Sequence, residues 1–172
     1  VLFRSIAIYP IAADDSPSTA RFVAELNDEA FADIARWLQE QSDRYGHSLL
    51  QPVALRVAPP LGARPPLPPA RPGPLDAILW SLQLRWWASR HDGIEGPKPQ
   101  VRLFVLFHDP ERTNALPHST GLSKGQIGVI HAFASRQQRH QNAVVIAHEL
   151  LHTFGASDKY DPATLQPIHP AG

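Results

Sequence analysis

Apolar residues along this chain follow two periods, and the alternation between them sets out the elements. Leu2 to Ile11 is rich in β-branched and aromatic residues and is closed by Pro10 and the turn Asp14-Asp15-Ser16-Pro17, which predicts an interior strand. From Ala20 to Tyr45 the positions Phe22, Val23, Leu26, Ala30, Phe31, Ile34, Trp37 and Leu38 recur at helical spacing, with Ser16 or Ser18 as cap and Gly46 as stop. Leu49 to Val57 reads as a second strand. Leu75 to His91 reads as a helix that gathers Ile78, Leu79, Leu82 and Trp86 on one side as a core stripe and leaves Trp80 and Trp87 partly exposed. Val101 to Phe107 is apolar enough to lie inside a sheet, Asn114 to Lys124 is a polar loop, and Gly125 to Ala134 is a further strand. A last helix runs from Gln138 to Phe154, with Ser135 or Asn142 as its cap. This order predicts an α/β (α+β) fold, a mixed twisted sheet of four to five strands with helices packed against it.

One stretch has neither period. Eight of the sixteen residues from Pro59 to Pro74 are proline. Proline lacks an amide donor and fixes φ, so the segment is neither helix nor interior strand but an extended surface loop. No internal repeat is visible.

Composition narrows the function classes. The 172 residues fit a single domain with a real core, and 16 basic residues balance 16 acidic ones, so no global field favours nucleic acid or an anionic membrane. There is no cysteine, which excludes disulfides and thiolate metal ligands. No apolar run is long enough to span a membrane, although a signal or anchor can precede Val1, and a secreted or anchored extracytoplasmic monomer is the expectation.

His148-Glu149-Leu150-Leu151-His152 carries the chemistry. Residues four apart share a helix face, so His148 and His152 converge on one point, which suits a zinc ion. Glu149 is rotated by about 100° from His148 and flanks that point as a general base rather than as a ligand. Gly155 ends the helix in the left-handed region and turns Asp158 back toward the metal as third ligand. Random placement of these residue types yields HExxH roughly 0.02 times per chain, and the Gly and Asp offsets multiply that by roughly 0.003. A zinc ion held by three protein ligands keeps a place for water, lowers its pKa to about 7 and polarises a carbonyl oxygen.

His148, Glu149, His152, Gly155 and Asp158 match the extended motif HExxHxxGxx(H/D), and over these eleven residues the chain resembles the metzincin clan of zinc endopeptidases in its aspartate variant, as in snapalysin-like or archaemetzincin-like proteins. The resemblance implies a single zincin-like catalytic domain over residues 1–172 that hydrolyses peptide bonds, with one catalytic zinc on His148, His152 and Asp158 and with Glu149 as base. It departs in two ways: the third ligand is aspartate, and the chain has no methionine for the turn that most of the clan places beneath the zinc, so that turn is expected beyond Gly172. The resemblance also implies that the peptide substrate lies along an edge strand around His118 to Gly128, with His118, Ser119 and Thr120 lining the cleft. Tyr160, just past the ligand turn, is positioned to help an oxyanion, and Asp161 to orient a ligand histidine.

Other histidines read differently. His131 alternates with Val129 and Phe133 on a strand face, the pattern of a hydrogen-bonded core histidine, and His108, His140 and His169 are substitutes should Asp158 not ligate. No GxSxG elbow supports a serine hydrolase, no basic patch with interleaved aromatics supports a nucleic-acid binder, and no glutamate follows Glu149 to serve as the late ligand of a zinc aminopeptidase. The competing reading is a non-catalytic module, zinc-stabilised or metal-free, that docks a protein partner through the proline-rich loop or the tryptophan helix.

Overall fold

The β-branched segment at the N-terminus forms β1, Arg4–Ala12, and the chain then alternates helix and strand: α1 Pro17–Ala24, a 3₁₀ turn Asp28–Phe31, α2 Ala32–Arg44, β2 Val53–Val57, α3 Pro74–Arg90, β3 Val101–His108, β4 Thr120–Leu122, β5 Ile127–Phe133 and α4 Arg139–Thr153. The structure is a computed structural model and describes residues 4–46, 53–69, 73–122 and 126–158. The strands form one mixed five-stranded sheet in the order β2-β1-β3-β5-β4. The first four in that order run parallel, and β4 pairs antiparallel to β5 at the edge. The fold is therefore α+β with a mixed sheet, as the sequence predicts. The N-terminal end of the second strand lies outside the described residues.

Alternation along the strands divides the core between the two sheet faces. Ile6, Ile8, Leu103, Val105, Phe107, Ile130 and Ala132 meet Val23, Phe31 and Ile34, together with Ile146 and Leu150 of α4. Ala7, Tyr9, Ile11, Phe104, Leu106, Ile127 and Val129 meet Trp80, Leu84, Trp87 and Ala88 of α3. Helices α1, α2 and α4 thus cover one face and α3 alone covers the other. Strands buried on both sides read as continuous apolar runs, which is why β1 and β3 were legible without a strict two-residue period.

Three expectations need correction. The helix predicted from Ala20 to Tyr45 is interrupted: α1 stops after Ala24 and α2 starts at Ala32. Asn27 is extended (φ −141°) and its side-chain oxygen accepts the Ala30 amide, a local bond that competes with helix continuation. Gly46 does end α2, at φ +74°. Caps also differ. Ser16 holds the N-cap position of α1, yet it makes no side-chain cap bond; its hydroxyl and that of Ser18 reach Asp109 Oδ2 at 2.6 and 2.8 Å. At α4 neither Ser135 nor Asn142 caps the helix.

The third correction concerns α3, which is rotated by half a turn from the predicted orientation. Trp80, Leu84, Trp87 and Ala88 are buried, whereas Ile78, Leu79, Leu82 and Trp86 are exposed. The helix has apolar stripes on two opposite sides with polar flanks between them, so periodicity alone does not choose its inner face. The choice falls on the side that satisfies its polar atoms and packs rings: Trp80 Nε1 donates to Pro66 O at 3.0 Å, and Trp87 stacks on His91 and meets the Phe104 ring edge-on. Pro66 belongs to the proline-rich segment, whose described residues bridge to the sheet through Leu61 and Ile11.

Candidate metal centre

Helix α4 is held at both ends. Near its start Asn142, buried on the sheet side, bonds both backbone groups of Phe133: its Nδ2 donates to Phe133 O at 2.8 Å and its Oδ1 accepts from Phe133 N at 3.0 Å. This clamp ties the helix to the end of β5. At the far end Gly155 takes φ +95°, Gly155 N donates to His152 O and Ala156 N donates to Leu151 O, both at 3.0 Å. Those bonds are the Schellman arrangement that glycine permits, and they reverse the chain so that Asp158 returns to the helix.

The expected ligands converge. One nitrogen from each of His148 and His152 and one carboxylate oxygen of Asp158 lie within 4.8 Å of one another. The two Nε2 atoms are 3.0 Å apart, and Asp158 stands 3.6 Å from His148 Nε2 and 3.4 Å from His152 Nε2. Bonds of about 2.0–2.1 Å in a tetrahedral array separate donors by roughly 3.3 Å, so the spacing fits a small cation with nitrogen and oxygen ligands. His152 Nδ1 donates to the Ala156 carbonyl at 2.9 Å, a bond that orients the ring and leaves Nε2 free to ligate. Side chains of His148, His152 and Asp158 are 45, 21 and 46% exposed, so a cation there keeps a side open to solvent. Among the described residues, no other set of histidine or carboxylate groups converges in this way.

Glu149 is buried at 7% exposure. Burial pushes its carboxyl above the usual range, against the pull of His148, His152 and His118. A carboxylate with raised proton affinity beside the ligands suits a group that accepts a proton and gives it back.

Strand β4 passes over this point because Gly121 lets it. A Cβ at Gly121 would stand 2.9 Å from both the Glu149 carbonyl and His152 Cβ, and 3.4 Å from Glu149 Oε2. The sequence offered no sign of this contact beyond a glycine in a polar loop. Asn142 was equally hidden, although a lone amide on the inner face of an apolar helix marks a buried polar bond. β4 falls within the edge expected around His118 to Gly128. His118 is exposed on the approach to β4, and Ser119 Oγ accepts the His131 amide at 3.0 Å. On the other side of α4 an apolar groove of about 410 Å³ runs between α2 and α4, past Ile34, Trp37, Val144 and Leu151 to His148.

The remaining candidates lie elsewhere. His131 is buried and its Nδ1 is 2.8 Å from His108 Nε2, a pair on the α3 face of the sheet, the opposite face from α4. His140 lines the groove between α2 and α4. Tyr160, Asp161 and His169 lie outside the described residues. No helix among the described residues is long and apolar enough to cross a membrane. Set beside protein-family models, curated proteins and solved structures, the chain matches none of them.

Proposed function

We propose that this protein is a zinc-dependent endopeptidase of metzincin-like type, with His148, His152 and Asp158 as ligands and Glu149 as general base. The observation that carries the reading is the convergence of the three ligand side chains within 4.8 Å around a helix that also holds a buried carboxylate. A zinc ion bound there supplies an acidified water and a Lewis acid for the scissile carbonyl.

The residues of the chain do the rest. Glu149 takes a proton from the attacking water as its oxygen bonds to the carbonyl carbon, and delivers that proton to the amine as the C–N bond breaks. The edge of β4 away from β5, the last of the sheet among the described residues, would present backbone donors and acceptors to an extended peptide, which would add as a further strand beside the ligands. Gly121 keeps that edge close to Glu149, and the groove that reaches His148 takes an apolar side chain of the substrate. Exposed His118 flanks the same approach.

Replacing Glu149 with Gln keeps the donor set intact while removing the base. The expected result is one zinc per chain by metal analysis and loss of casein cleavage; undiminished cleavage by that variant rules the mechanism out. The competing reading, a non-catalytic docking module, draws on the exposed apolar side of α3. It is favoured if the native chain, back-titrated with zinc, takes up no stoichiometric metal.

A further inference from the structure

The outward side of α3 is the largest feature of the molecule that a peptidase reading leaves unused. Leu75, Ile78, Leu79, Leu82 and Trp86 are 74, 57, 65, 55 and 61% exposed, and their spacing places them on one stripe directly opposite the buried Trp80, Leu84, Trp87 and Ala88. Such a stripe leaves roughly 600 Å² of apolar surface bare, the upper end of what a single chain normally shows to water. We propose that this face is the interface of a symmetric, antiparallel dimer of the chain.

Area and charge both point to a second copy. Two such faces together approach roughly 1,200 Å², the lower bound for a specific interface. Asp76 and Arg90 sit on the same flank of the stripe near its opposite ends. Asp76 Oδ2 accepts the Gly73 amide at 3.0 Å, and the Arg90 guanidinium lies 5.0 Å from the centre of the Trp86 ring. A two-fold axis beside Leu82 turns the second helix antiparallel and brings like flanks together. Leu79 then packs against the partner's Trp86, and Asp76 comes within reach of the partner's Arg90. The pairing is isologous and closed. A helix built to lie on an anionic bilayer carries many basic residues on its polar face, but α3 has no lysine and only Arg85 and Arg90, with Asp76 opposing them. Because α3 lies on the sheet face opposite α4, the dimer leaves the candidate metal centre open, and the inference stands whether or not that centre is catalytic.

The absence of cysteine makes the test clean. In the pairing described, Leu82 lies next to its symmetry mate, whereas the two copies of Leu75 are separated by roughly 22 Å along the helix axis. Sedimentation velocity of the full chain over a range of concentrations should show a dimer, and the double variant Leu79→Glu/Leu82→Glu should raise the dimer dissociation constant at least tenfold while its circular dichroism stays native. Under mild oxidation the variant Leu82→Cys should form a covalent dimer and Leu75→Cys should not. That pair of results reads the register even if the double variant fails to fold. A wild-type chain that stays monomeric at high micromolar concentration overturns the proposal, as does equal crosslinking at both positions. Monomers that co-sediment with vesicles of phosphatidylcholine and phosphatidylglycerol through this stripe also overturn it, in favour of a membrane surface.

Discussion

Helices α3 and α4 cover opposite faces of one sheet, and comparing them shows which kind of residue fixes an orientation. Both are strongly apolar. On α4 His148, His152 and Glu149 mark the chemical face, and the structure leaves both histidines partly open to solvent while it buries Glu149, Ile146 and Leu150. α3 instead carries its polar residues, Asp76, Ser81, Gln83, Arg85, Ser89 and Arg90, on the flanks between two apolar stripes, and the stripe that the structure buries is the one opposite to that expected from the sequence. Polar residues orient an apolar helix, because an unpaired polar atom in the core is costlier than an apolar atom in water.

The largest effect expected from this comparison belongs to the polar side of α4. Replacing His148 or His152 with Ala removes one of three donors, which should abolish stoichiometric zinc binding and lower peptide cleavage by roughly 10³-fold or more, about 4 kcal/mol of transition-state stabilisation. Equilibrium dialysis against zinc and cleavage of a quenched-fluorescent peptide measure the two effects. A His152→Ala chain with unchanged zinc affinity would detach the motif from any metal role.

On α3 the comparison is sharpened by two leucines two residues apart. Leu84 is fully buried and Leu82 is 55% exposed. Leu84→Ala should cost about 2–5 kcal/mol in urea denaturation, while Leu82→Ala, measured at a concentration low enough to keep the chain monomeric, should fall within about 0.5 kcal/mol of wild type. Equal costs at the two positions would mean that the helix is rotated from the orientation described.

How much could be read from the sequence follows the same rule. The strands were legible because β-branched runs bounded by Pro and Gly have few alternatives, and the ligand set was legible because HExxH with Gly155 and Asp158 fixes both a helix face and a chain reversal. What escaped was set by contacts distant in sequence or by single local bonds. The Asn27 oxygen turning back to Ala30 split one predicted helix in two. The three-residue strand β4 forms only because β5 offers an edge, and the clamp from Asn142 to Phe133 needs the turn between β5 and α4 to be in place.

Gly121 sits where the sheet edge meets α4, since β4 can lie against α4 only without a Cβ at that position. With Gly121→Ala a methyl group meets helix backbone and His152 Cβ at 2.9 Å, and β4 must retreat. The expected result is a loss of about 1–3 kcal/mol in stability from overpacking. Cleavage should fall about tenfold or more while zinc stoichiometry is kept, because a small misplacement of a positioning element is costly in rate. Full activity in the alanine variant would separate the edge strand from substrate binding.

The smallest effect tests the histidine pair on the α3 face of the sheet. His131, 6% exposed, is pushed down to about 4 by burial and by neighbouring His108, and burial lowers His108 as well. An unfolded histidine takes up its proton near pH 6.5. Between that pH and about 4 the unfolded chain therefore binds a proton that folded His131 refuses, so the stability present above pH 6.5 is lost as the pH falls. From pH 7 to pH 5 this one group should remove about 2 kcal/mol, read by urea denaturation of zinc-free protein so that the α4 histidines carry no metal. In His131→Phe that part of the slope should vanish. If the variant loses stability as steeply as wild type, the acid sensitivity arises elsewhere, and burial of His131 is then not what separates the α3 face from the α4 face in acid.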